Sequence, residues 1–158
     1  MTEKFKDRPL LVASPPVIFF ACLIAGGLLH ALFRSTLGSF PDALRPGCGI
    51  ILLSLAGIIA ASAFWVLHQH RTPFNPYKPT ARIARNGIYR FSRNPMYLSL
   101  VLVLAALALL VNASSFILTT ILFVAIISRG VIQPEEQYLE EKFGDVYREY
   151  KARVRRWL

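Results

Sequence analysis

The 158-residue chain has room for one domain of ordinary size. Apolar residues make up 54% of it and charged residues 17%, which excludes disorder and an ordinary soluble domain. Two cysteines, Cys22 and Cys48, exclude a disulfide-dense scaffold and any multi-cysteine metal site, and a formal charge of +9 on so apolar a chain suits a membrane surface better than nucleic acid.

A hydrocarbon core about 30 Å thick needs roughly 20 helical residues. The run from Val17 to Phe33 is interrupted only by Gly26, Gly27 and His30, and Gly49 to Leu67 carries only Ser54 and Ser62 as polar residues. A third run starts at Pro95 and continues through Met96 to Val111; a fourth takes Phe116 to about Ile132, with Arg129 snorkelling toward the interface near its end. Only Asn112 to Ser115 separate these two, so they read as a tight helical hairpin. The first run lacks a small-residue cleavage site and is kept as a permanent span rather than a signal peptide. With four spans, sixteen of the eighteen basic residues fall on one side, leaving Arg34 and Arg45 on the other. The positive-inside rule makes the rich side cytoplasmic, with both termini there. The expected fold is therefore all-α: one polytopic membrane helical bundle, about four transmembrane helices with a C-terminal cytoplasmic or interfacial helical tail.

Two cytoplasmic pieces remain, the loop 68–94 and the tail 133–158, flanking the hairpin 95–132. Pro73, Pro76 and Pro79 forbid a helix and preset an extended path. Asn94 followed by Pro95 reads as an N-cap and first helical position. Arg90 and Arg93 beside it are either the basic flank of a span or, with the free N–H groups of the helix start, a site for a carboxylate or phosphate. The tail holds six of the nine acids, and Pro134-Glu135-Glu136 suits the first turn of a helix. Leu139, Phe143, Val146, Tyr147, Tyr150, Val154 and Trp157 form an apolar stripe facing the bundle or the lipid interface, with Gly144 a bend. A membrane anchor would need nothing more.

Together, Gly87-x-Tyr89-x-x-x-Arg93-Asn94-Pro95-x-Tyr97 and Glu135-Glu136-x-x-Leu139-x-x-x-Phe143-Gly144-x-x-Tyr147-x-x-Tyr150 resemble the isoprenylcysteine carboxyl methyltransferase and phospholipid methyltransferase superfamily of integral-membrane enzymes. The resemblance covers about residues 68–158. It implies S-adenosylmethionine as methyl donor, held on the cytoplasmic side. By that analogy Ala81, Arg82, Ile83 and Ala84 line the cofactor largely through backbone, Tyr89, Asn94, Pro95, Met96 and Tyr97 form much of the rest, and Glu135 binds it with Glu136 alongside. Eukaryotic-type members have histidine where this chain has Asn94, and an arginine where it has Val131. Arg129 lies two residues before that position, about 200° around a regular helix.

The expectation is an S-adenosylmethionine-dependent methyltransferase acting on a lipidic or prenylated amphipathic substrate, resembling the isoprenylcysteine carboxyl O-methyltransferases. A carboxylate acceptor needs a cation such as Arg93 or Arg129 to orient it; an amine headgroup, the alternative, needs a base such as Glu136. A non-catalytic membrane interaction protein is the third reading. No metal and no nucleic acid enter any of the three, membrane lipids surround the protein, and His68 and His70 receive no role.

Overall fold

The computed structural model describes residues 11–38, 40–69 and 83–158. All regular structure among them is helical: α1 (Pro15–Phe33), α2 (Arg45–Gln69), a 3-10 turn (Gly87–Arg90), α3 (Pro95–Leu110), α4 (Ser114–Ile127), a π-helical turn (Ser128–Ile132), α5 (Gln133–Phe143) and α6 (Asp145–Arg153). The helices α1 to α4 are apolar on every side, as helices surrounded by lipid or by one another must be. They stand in the order α2, α3, α4, α1, with α3 packed against α2 and α4, and α1 against α4. Leu104, Phe123, Ile127, Val131 and Ile132 are fully buried at the centre, while Val17, Phe20, Ile24 and Leu28 of α1 and Ile50, Ile51 and Ile58 of α2 face outward.

Hydrogen bonds fix which ends lie together. At one end the α3 helix closes in a Schellman turn: Asn112 takes φ 54°, its N–H donates to Leu109 O at 3.3 Å, and Ala113 N–H donates to Ala108 O at 2.9 Å. The Asn112 side-chain oxygen accepts from Leu37 N–H at 3.1 Å, which ties the α1–α2 connection to this turn. At the other end Val12 N–H donates to Gly130 O at 3.1 Å. Residues 11–14, 83–94 and 128–158 therefore share the end opposite the α1–α2 loop.

The structure refines two expectations. Among the described residues, three helices are long and apolar enough to cross a membrane, Pro15–Phe33, Arg45–Gln69 and Ser114–Phe143, while Pro95–Leu110 is apolar but shorter. The α3 helix has 16 residues, about 24 Å at 1.5 Å per residue, because the Asn112 turn stops it early. Nor does the fourth apolar run end before a separate tail. It continues through the π turn as one helix of 30 residues, so roughly its first 20 suffice for a hydrocarbon core and α5 extends beyond it. Pro134, with Glu135 and Glu136, falls in the first turn of α5 as expected, but the chain enters that turn directly from the π turn and not from a loop. A proline there cannot donate to Gly130 O, and Val12 supplies the missing donor from another part of the chain. The loop is shorter than expected at its start, since His68 and Gln69 belong to α2, where the His68 ring stacks on Phe64.

Close approach of α1 to α4 depends on Gly26. Ser115 Oγ donates to Gly26 O at 2.9 Å, and a Cβ at Gly26 would lie 2.7 Å from Phe116 Cδ1 and 3.0 Å from Thr119 Oγ1. Gly26→Val is expected to lower stability by about 1–3 kcal/mol through overpacking, read as a drop in thermal midpoint of the detergent-solubilised protein. An unchanged midpoint would mean that α1 can slide off α4 at no cost.

Candidate functional site

The site is built where the segment before α3 meets the helix after the π turn. Gly87 opens the 3-10 turn with φ +58°, and a Cβ there would lie 2.8 Å from Val66 Cγ2, so only glycine lets this turn lie on α2. The turn buries Tyr89 with Ala63, Val66 and Ala84, and Ile88 and Met96 pack around them. Tyr150 of α6 donates its hydroxyl to Tyr89 O at 2.7 Å. Burial raises the phenols of both tyrosines above their ordinary value.

Two adjacent carboxylates then meet different surroundings. Tyr97, one helical turn into α3, donates its hydroxyl to Glu135 Oε1 at 2.8 Å. Among the described residues no cation pairs with Glu135. Burial pushes its carboxyl up to about 7, the Tyr97 hydrogen bond opposing the rise and the Glu136 charge adding to it. Glu136 is held by two guanidinium groups. Arg93 Nη2 lies 3.2 Å from Oε1, while Arg156 donates from Nε to Oε1 at 3.1 Å and from Nη2 to Oε2 at 2.7 Å. The Arg93 and Glu136 side chains are 9% and 7% exposed. Arg93 Nε and Nη1 are buried without a hydrogen-bond partner. Tyr147 stands near, its hydroxyl pushed up to about 12 by burial and by Glu136, with the Arg93 charge opposing.

The C-terminal residues complete the junction. Arg93 N–H donates to Arg155 O at 3.1 Å, Asn94 Nδ2 donates to Arg156 O at 2.9 Å, and Ser92 Oγ to the same carbonyl at 3.4 Å. Asn94 occupies the N-cap position of α3, but its side chain makes no capping bond; the amide is used across the junction instead, and Pro95 behind it is fully buried.

Of the residues singled out in the sequence, Tyr89, Arg93, Asn94, Pro95, Met96, Tyr97, Glu135 and Glu136 lie at this end of the bundle, with Ile83 and Ala84 leading into it. Ala81 and Arg82, and with them the proline-rich stretch, lie outside the described residues. Arg129 is not brought to the acidic pair: it is exposed on the π turn, while Val131 beside it is fully buried. Arg156 and Ser92 were not legible from spacing. Arg156 is one of several basic residues near the C-terminus, and its partner lies twenty positions away. Among the described residues no cluster of histidine, cysteine or acidic side chains is arranged to hold a metal ion.

A family profile described as phospholipid methyltransferase matches residues 44–146 of the chain. An uncharacterized protein of Haemophilus influenzae is 52% identical over 63 residues, which is 40% of this chain and all of that protein. No solved structure matches.

Proposed function

The chain belongs to the phospholipid methyltransferase family, which matches residues 44–146, and from that premise we propose that it transfers a methyl group from S-adenosylmethionine to the amine headgroup of a membrane phospholipid. Membership supports S-adenosylmethionine-dependent methyl transfer to a lipid-related acceptor in general terms. It favours the amine headgroup, the alternative at the outset, over carboxyl methylation of an isoprenylcysteine.

The observation that carries the reading is Glu135: a half-buried carboxylate held by Tyr97, with no cation of its own among the described residues. Such a group is the complement of a cationic ligand. The described residues therefore fit S-adenosylmethionine, with Tyr97, Glu135, Tyr89, Met96, Asn94 and the backbone of Ile83 and Ala84 holding it. When bound, it supplies a methyl carbon already activated by a cationic sulfur. The protein's task is to align the acceptor, exclude water and find a place for one proton. An ammonium headgroup must lose that proton before its nitrogen can attack. Glu136 suits this poorly, because both its oxygens are engaged by Arg93 and Arg156. Glu135 is the carboxylate left to accept it. The basic residues at this end support its facing the cytoplasm, and the exposed apolar faces of α1 and α2 support entry of the acyl chains from the bilayer.

One observation favours a carboxylate acceptor instead, the two unpartnered nitrogens of Arg93. Arg129, exposed and away from the acidic pair, gives it no second cation. The protein in vesicles containing phosphatidylethanolamine, supplied with labelled S-adenosylmethionine, is expected to place alkali-stable label in the lipid. Alkali-labile label on a prenylated cysteine peptide would favour the carboxyl reading. Transfer to neither, together with no binding of S-adenosylmethionine, would leave a non-catalytic membrane protein.

A further inference from the structure

The family match ends at residue 146, yet the last residues of the chain close the site. After α6 ends at Arg153, Val154 turns extended, with φ −120° and ψ 128°, and the chain runs back along the segment that leads into α3. Three hydrogen bonds join it to Ser92, Arg93 and Asn94, all to the carbonyls of Arg155 and Arg156. Trp157 packs beside the central core. From the same extended segment the Arg156 guanidinium reaches α5 and grips Glu136 with two nitrogens. One short segment thus holds one block, the chain leading into α3, by its backbone and the other, the start of α5, by a side chain.

We infer that residues 154–158 are a clasp that fixes the two blocks against each other, with Arg156 a positioning residue that holds Glu136 and through it sets the charge and orientation of Glu135. The bidentate geometry constrains the Glu136 rotamer, and so the helical turn from which Glu135 projects. The charge matters as well. Glu135 faces Tyr97 from α3, Glu136 from its own helix, and Tyr89 and Tyr147 from the turn and α6. Arg93 and Arg156 are the cations that offset Glu136. Loss of Arg156 leaves more of the Glu136 charge acting on Glu135, which then holds its proton to higher pH.

The inference rests on Glu135 being the cofactor carboxylate, and the test separates the two. Binding of S-adenosylmethionine to the full-length protein in micelles is titrated calorimetrically from pH 6 to 8.5, alongside the thermal midpoint. Arg156→Ala is expected to weaken binding at pH 7 by roughly three- to tenfold and to move the pH midpoint of binding up by about half a unit or more. Arg156→Lys keeps the charge and loses the fork, so its pH midpoint stays near that of the unmodified protein while its thermal midpoint falls. Should Arg156→Ala not fold, Arg156→Gln, which keeps a donor toward Glu136 without the charge, is expected to show the same upward move. A neutral variant that loses only thermal stability, with its pH midpoint unchanged, would reduce the clasp to a structural strap and overturn the inference. Failure of the unmodified protein to bind S-adenosylmethionine would instead overturn the reading of Glu135 on which it stands.

Discussion

Glu135→Gln is expected to weaken S-adenosylmethionine binding by roughly 10- to 100-fold, because a charge-assisted contact from a partly desolvated carboxylate contributes about 1.5–3 kcal/mol. Glutamine keeps the shape and an oxygen for the Tyr97 hydroxyl but removes the charge. The pH dependence distinguishes this loss from a packing defect. The Glu135 carboxyl is raised to about 7 in the folded protein from an ordinary value of 4.5. A carboxyl with a raised folded-state value takes up its proton more readily when folded. Its contribution to stability is therefore fully present below 4.5 and lost as pH rises through about 7. Above that pH the unliganded site carries an uncompensated anion, and a cation relieves it. Affinity for S-adenosylmethionine should accordingly rise about tenfold between pH 6 and 8, as the carboxylate ionises, with protons released on binding below pH 7. The Gln variant should lose that rise. Tyr97→Phe removes a hydrogen bond that favours the ionised form, so its rise should fall at higher pH than in the unmodified protein. A pH-independent affinity in the unmodified protein would remove Glu135 from contact with the cation.

Parts of this arrangement could be read from local sequence and parts could not, for physical reasons. The helix start at Pro95 is set by a residue whose φ is fixed, and the bend at Gly144 by one free to take φ +55°; the structure has both there. Pro134 carries the same local signal and lies in the first turn of α5, but no break in the chain precedes it. Whether a proline starts a helix or sits within one depends on who else can satisfy the carbonyl four residues back. Here that donor is Val12, more than one hundred positions away. The shared helix from Ser114 to Phe143 follows, whereas the shortness of α3 comes from the Asn112 turn that ends it. The π turn also undoes positional reasoning from a constant 100° step, so the angle between Arg129 and Val131 could not be taken from an ideal helix. Within the site, Tyr97 and the two glutamates stand out because they recur in a resembling pattern. The unequal fates of those glutamates do not, since adjacency makes them look equivalent in sequence. What separates them is one helical step, which points Glu136 at Arg93 and Arg156 and Glu135 at Tyr97.

That separation sets the largest stability effect. Glu136→Ala is expected to destabilise the protein by about 3–5 kcal/mol, the cost of removing one partner from a buried ion pair. Arg93 is 9% exposed and already has two nitrogens without partners, so losing Glu136 leaves its guanidinium buried with no counter-ion. Arg156 is more exposed and can turn toward water, which places most of the cost on Arg93. Glu135→Ala should cost far less, because it removes a carboxylate already disfavoured by burial. Chemical denaturation in mixed micelles, monitored by tryptophan emission in a Trp65→Phe background that leaves Trp157 as the reporter, compares the two. The double variant Arg93→Met with Glu136→Leu removes both charges and restores apolar volume, so it should recover much of the lost stability. It also decides whether Glu136 does chemistry. A stable double variant that still binds S-adenosylmethionine and transfers methyl would make Glu136 a structural counter-charge. One that binds normally but transfers nothing would return the proton-accepting role to Glu136 and take it from Glu135.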